Sequence, residues 1–477
     1  MNLTRTLRPL VAFSLAAMPL LAQGPLTRAD SALVGRILAA EDARDSAAPA
    51  LIEGARHPDP RLQLLARRAL ARVRDSLFAA RDSFPPLAAP PTWPEPEWKP
   101  RYRALTTRAD CAAVRAGLAD SSWIVRLRAA DVAPRACADD ESIDTTLRRW
   151  ILALPPAPRP GRSSAVSWHP AAHALSALAR LRPAEAYAAI GALERHPTWQ
   201  VRVYVARAAG VLQDSSRLRR LITDPDDNVK EAAIDALRGL TGHTDDARYL
   251  TALHARGAQA VRAAAIALKG SPDPLAAPAA LATFHKWVGR DIASARDARL
   301  ALLDAAGHPA TDDQSPPEQR ALPRDAVPLA LGAEVRLRVS MEGGATFEVR
   351  LRGDAAPIMA ARILELVRHR YYDGLLWQRV EPDFVIQGGG PGANEYVGAP
   401  RFLRDELGTI PHPRGTVGMS TRGHDTGDAQ WFVNLKDNPR LRRDYTVFGE
   451  IIEGMDVVDG IMEGDRIATI REAPRTR

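Results

Sequence analysis

After its first two dozen residues the chain has no long uninterrupted apolar run. Charged side chains break every later hydrophobic stretch, which excludes a polytopic membrane protein; no stable membrane insertion is expected, an uncleaved N-terminal anchor being the alternative. Lysine is nearly absent: Lys99, Lys230, Lys269, Lys286 and Lys436 stand among 64 basic residues. The net charge of +7 therefore rests on arginines scattered through helical sequence, not on a massed patch, and argues against a nucleic-acid partner. Cysteine is reduced to Cys111 and Cys137. What is abundant is apolar residues, 46% of 477, too many for a disordered or collagen-like chain and too long a chain for one compact domain.

The opening residues carry an export pattern. Arg5 and Arg8 precede a short apolar run, Leu10 to Leu21, and Ala22-Gln23-Gly24 offers small residues for cleavage. Residues 1–24 are expected to be a signal peptide, and the mature protein to be periplasmic or secreted. In such a compartment Cys111 and Cys137, 26 apart, can pair as a disulfide across a helical hairpin or remain two buried thiols.

Residues 25–306 are rich in Ala, Leu and Arg with helical periodicity. A turn followed by an apolar-basic helix start recurs at His57–Leu62, Asp120–Arg126, His196–Arg202, Asp224–Lys230 and, weakly, Gly257–Arg262. Arg202, Lys230 and Arg262 lie 28 and 32 residues apart. Asp or Ser before each helix suits its N-cap, and the Ala face suits close helix packing. The theme resembles HEAT repeats, which implies an all-α solenoid and a surface for a protein partner. A Pro-rich connector (84–100) interrupts it, with Trp93 and Trp98 expected to pack on the helices. A second Pro-rich stretch, 307–333, is expected to be an interdomain linker.

Beyond residue 334 the period changes to two. Val335–Val339 and Thr346–Leu351 alternate around a Gly-Gly turn, 357–370 reads as an amphipathic helix, and short strands follow at 376–380, 384–387, 416–420, 430–435 and 446–452. Many short strands suggest a closed barrel. The runs Tyr372–Gly390, Arg414–Ser420, Ala429–Asn434 and Asp444–Glu450, in this order and spacing, resemble the cyclophilin-type peptidyl-prolyl cis-trans isomerases over about 334–472. The resemblance implies a mainly-β closed barrel with flanking helices, activity on X–Pro bonds of unfolded or loop protein segments, and no cofactor or metal.

Residue by residue, it implies Arg379 as the catalytic group, oriented by Gln387. The proline pocket would be Phe384, Val385, Phe432 and Leu441, bordered by Thr421, Trp431 and Tyr445. Thr421 stands where the family has Asn, Tyr445 where many members have His, and Trp431 where Phe is usual. The domain from Ala333 is expected to fold alone. A non-catalytic, proline-binding scaffold is the alternative. The Gly388–Gly392 run lacks the Lys-Ser/Thr of a phosphate loop, and His424, Asp425 and Asp428 read as a solvated loop, not a metal site.

Overall fold

A computed structural model describes residues 26–74, 87–155, 168–290, 293–313 and 322–474. The signal-peptide expectation for 1–24 lies outside the described residues. Three helices come first: α1 (Arg28–Asp42), α2 (Pro49–Ala55) and α3 (Pro60–Arg74). Next come α4 (Trp98–Thr107), α5 (Cys111–Leu118), α6 (Trp123–Val132), α7 (Glu141–Leu152), α8 (His169–Leu181), α9 (Pro183–Leu193) and α10 (Trp199–Val211). The helical region closes with α11 (Ser215–Leu221), α12 (Asp227–Thr241), α13 (Asp246–Ala252), α14 (Ala258–Leu268), α15 (Ala276–Trp287) and α16 (Ala293–Ala306).

The even-numbered helices α4 to α16 pack each upon the next in one row. Of the recurring turns, Asp226 caps α12 by accepting from Asn228 N at 2.9 Å, but Ser122 makes no side-chain cap; Asp110, Asp140 and Asp214 cap other helices at 2.9, 3.1 and 3.0 Å. The arginines of the recurring turn are not merely a solvated face. Arg202 donates back to His196 O at 2.8 Å and also grips Asp224 of the following turn at 2.8 Å. Arg202 thus closes its own turn and ties it to the next, whereas Arg61 and Lys230 grip an aspartate of their own turn and Arg262 reaches back to Glu231 of α12. Outside that turn, Arg219 at the end of α11 reaches Asp245 at 2.8 Å. Cys111, first in α5, and Cys137, in the short turn after α6, are joined in a disulfide with Cα atoms 5.5 Å apart.

The C-terminal region contains a short α17 (Ala326–Ala330), β1 (Arg336–Met341), β2 (Thr346–Leu351), α18 (Pro357–Arg368), β3 (Trp377–Val380) and β4 (Val385–Gly388). It continues with β5 (Thr416–Met419), β6 (Trp431–Asn434), β7 (Val447–Glu453), α19 (Met455–Asp459) and β8 (Ile467–Glu472). Every pairing is antiparallel and the strand order is β3-β4-β6-β5-β7-β2-β1-β8. The expected closed barrel is corrected to a curled, open sheet. Its edge strands β3 and β8 form no ladder with each other; they touch at the isolated bridge Leu376–Arg466, with backbone bonds from Gly374 and Trp377 to Ile467 O and Asp465 O at 2.8 and 2.9 Å.

The cores divide differently from the expected 25–306 block. Helices α4–α16 share one core. Helices α1–α3 bury Leu33, Ile37, Leu38, Leu51, Leu62 and Leu65 in the core of the sheet instead. Two buried arginines of α3 complete that seam. Arg68 donates to Asp354 O at 2.7 Å, and Arg72 to Glu41, Ala355 O and Leu407 O at 2.6, 2.6 and 2.8 Å. Within the stretch expected as an interdomain linker, α17 packs on α18 and α1, burying Ala326 and Leu329. In the Pro-rich connector, Trp98 packs on the helical core as expected, but Trp93 does not. Its indole donates to Ile451 O at 3.3 Å and lies where a Cβ on Gly415 (φ +86°) would come within 2.6 Å, so Gly415 admits the ring.

Candidate active site

Pairing register sets the site. Arg379 of β3 pairs with Gln387 of β4, Gln387 with Phe432 of β6, and Phe432 with Gly418 of β5. Residues opposite one another in a sheet share a face, so this row projects Arg379, Gln387 and Phe432 to the same side. The Phe432 ring lies over Gly418, where a Cβ would come within 2.4 Å of it. Glycine at that one position leaves room for the aromatic floor.

Around the row, Val385, Phe432 and Leu441 form a small buried apolar cluster against Phe384 and Tyr445. Leu441 arrives from the short helical turn Pro439–Arg443, and the Tyr445 ring meets Phe432 edge-on at 5.6 Å. The cup encloses about 100 Å³ and is rimmed by Arg379, Gln387, Thr421, Arg422 and Glu395. Of the nine residues expected at the site, the structure brings together Arg379, Gln387, Phe384, Val385, Thr421, Phe432, Leu441 and Tyr445.

Trp431 is the exception. One residue along β6 from Phe432, it faces the opposite side of the sheet and is 3% exposed. Its ring packs edge-on against Trp377 at 4.9 Å and Tyr372 at 6.4 Å. Trp431 belongs to the core that supports the site, not to the pocket wall.

The Arg379 guanidinium is anchored on one side and open on the other. Nη1 lies 3.5 Å from Gln387 Oε1 and 3.3 Å from Glu395 Oε1, and its side chain remains 40% exposed. Phe384 lies beneath it at 6.0 Å. Gln387 is held in turn by Gln430, whose Oε1 accepts from Gln387 and Gln378 at 3.3 and 2.9 Å. Gln430 itself donates to Glu395 O and Val397 O at 3.2 and 3.1 Å. Below the cup, burial pushes the His412 imidazole down to about 4, so it is neutral near pH 7. His412 contacts Tyr445 O at 3.0 Å and stacks with Phe432 at 6.1 Å.

Sequence reasoning had no reason to single out Glu395, Arg422 or His412. Gln430 sits inside the Ala429–Asn434 motif, and its β-strand alternation with Phe432 is the signal that would have found it. His424 contacts Asp405 at 3.0 Å, a loop interaction away from the cup.

A family model described as cyclophilin type peptidyl-prolyl cis-trans isomerase matches residues 335–476. Peptidyl-prolyl cis-trans isomerase B of Bacillus subtilis is 33% identical over 133 residues, 28% of this chain and 93% of that protein. The chain belongs to the cyclophilin-type peptidyl-prolyl cis-trans isomerases. The peptidyl-prolyl cis-trans isomerase of Acinetobacter baylyi is 37% identical over 122 residues, and the chain spans 65% of its length. A crystal structure of a cyclophilin type isomerase from Cryptosporidium parvum is covered in full by 30% of this chain, with 21% identity and a TM-score of 0.29. Within the helical region, a HEAT-repeat model matches residues 188–269. The cyclophilin domain therefore follows helices of HEAT type, and the cup lies in the part that carries the isomerase match.

Proposed function

We propose that the chain is an exported prolyl isomerase that turns over X–Pro bonds of unfolded or loop segments at the Arg379 cup. The observation that carries this reading is the register row placing Arg379 and Gln387 beside the Phe432 floor. Rotation about an X–Pro bond is opposed by amide resonance, with a barrier of about 18–20 kcal/mol. In the twisted state the proline nitrogen regains a lone pair. A guanidinium above the ring can donate to that lone pair more strongly than to the planar ground state, which lowers the barrier. The apolar cup grips the ring while the preceding carbonyl swings. The chemistry needs no proton transfer and no covalent intermediate.

Arg379→Ala should lower kcat by roughly 10²–10³ with little change in peptide affinity, as expected for a donor acting mainly in the transition state. NMR exchange spectroscopy on an Ala-Pro peptide reads both quantities. Near-normal turnover by this variant would remove Arg379 from its role. A second reading, a proline-binding scaffold without turnover, draws support from Glu395, which competes for the same guanidinium nitrogen. Peptide binding by the intact chain with no catalysed exchange would favour it.

Export is supported by the apolar run at residues 10–21 and by the Cys111–Cys137 pair, which suits an oxidising compartment. Mass spectrometry of the N-terminus from the native host tests it, and an intact Met1 would refute it. The row of even-numbered helices is read as a HEAT-type solenoid that presents the isomerase to clients or to a protein partner.

A further inference from the structure

The cup does not end at Arg379. A cleft of about 610 Å³ opens beside it and shares Arg379 and Glu395 with the cup, so the two adjoin across that ion pair. One wall is the sheet edge at Gln378 and Arg379 with the loop 393–396. The other is the helical row: Trp199 and Val203 of α10, Glu231 and Asp235 of α12, and Gln259, which belongs to α14.

The two walls are bolted together, so the opening is a fixed feature of the folded chain. Asn228 donates to Gly392 O at 3.1 Å, and Asn394 donates to Gln259 and to Asn228. The Arg262 guanidinium covers the Tyr396 ring at 3.7 Å. At the rim of the cup, Arg422 joins Asp297 of α16 at 2.5 Å. The cleft is also lopsided in charge. Glu231, Asp235, Glu395 and Glu463 line it with Arg207 and Arg379; Glu395 is paired with Arg379 at 3.3 Å and Glu231 with Arg262 at 3.2 Å, so the exposed Asp235 carries the excess negative charge.

We propose that this cleft receives the substrate polypeptide running out of the proline cup, and that its carboxylates select clients with Lys or Arg within a few residues of the proline. This rests on the isomerase reading above and extends it: the helical region becomes half of the substrate site. An extended chain leaving the cup past Arg379 enters the cleft directly. Long basic side chains can lay their methylene stems along Trp199 and Val203 while their charged ends stay hydrated near Asp235. An exposed pair of this kind changes selection by about two- to fivefold per charge, and the effect shrinks as salt screens it.

The test uses the full chain and peptides of equal length holding one Ala-Pro bond, with Lys, Glu or neutral residues placed on either side. The ratio of kcat/KM for Lys over Glu peptides should exceed one at low salt by about two- to fivefold per charge, and approach one at high salt. Asp235→Asn should lower the ratio and Asp235→Lys should invert it. Reading a ratio within one protein cancels any general loss of folding or turnover. A wild-type ratio of one, or a ratio unmoved by both variants, would overturn the proposal. If no peptide is turned over, the isomerase reading falls, and the same Lys-over-Glu ratio measured by fluorescence anisotropy with labelled peptides decides the cleft independently.

Discussion

Replacing Arg72 by Met tests whether the seam between α3 and the sheet holds the cyclophilin domain together. Arg72 is 3% exposed and donates to Glu41 at 2.6 Å, to Ala355 O at 2.6 Å, to Leu407 O at 2.8 Å and to Glu406 O at 3.2 Å. Methionine conserves much of the stem but strands the 2%-exposed Glu41, whose remaining cation is Arg68 at 3.8 Å. Burial alone would push the Glu41 carboxyl up; Arg72 and Arg68 together hold it below its usual range. Removing one partner of a buried pair costs about 3–5 kcal/mol, and three carbonyls lose their charged donor as well. Amide exchange in α3 should then rise by at least about a hundredfold, since each ~1.4 kcal/mol is a factor of ten. Adding Glu41→Gln should recover part of this by removing the stranded charge, but not the carbonyl contacts. An Arg72→Met protein whose α3 amides exchange within threefold of wild type would refute the reasoning.

Other outcomes follow from the same contacts. Cooperative thermal unfolding should be lost or strongly weakened in a fragment beginning near Ala333, and regained when residues 26–74 are supplied, because α1–α3 fill its core. Reducing Cys111–Cys137, or replacing both by Ala, should cost about 3.5 kcal/mol by the loop-closure relation, read as a shift of the denaturant midpoint of the helical region. His412 should titrate near 4 by NMR. Its folded pKa lies below the unfolded 6.5, so its contribution is intact above pH 6.5 and fades as pH falls towards 4, by up to about 3 kcal/mol. Comparing the pH dependence of unfolding with that of His412→Asn isolates the effect, and equal slopes between pH 4 and 6.5 would contradict it. Phe432→Ala should weaken both peptide affinity and stability by up to a few kcal/mol, in contrast to Arg379→Ala.

The strands around the site were legible because alternation at 335–351 and the motifs from Tyr372 onward carry period-two patterning with glycine turns. That patterning also puts adjacent residues on opposite faces, which is why Phe432 floors the cup and Trp431 does not. What the sequence could not show is partner choice. The apolar stripe of α1–α3 says that a face is buried, not whether against helices or against a sheet some 250 residues later. Arg68 and Arg72 look like any other helix arginines until the carbonyls of 354–355 and 406–407 are placed beside them. Glu395 and Arg422 come to the cup through loops whose course is set by Gln259 and Asp297 of distant helices.

The division of the two cores has a consequence for how the chain comes into being. The core of the sheet is assembled from residues near both ends, with α4–α16 spliced between them. During synthesis α1–α3 emerge first and wait for roughly 250 residues before their partner appears, on the order of 10–50 s at ordinary elongation rates. Throughout that interval α1–α3 can pack on one another but lack the sheet that completes their core, while the middle helices can already close on one another. The chain's first and last segments must find each other around a finished middle.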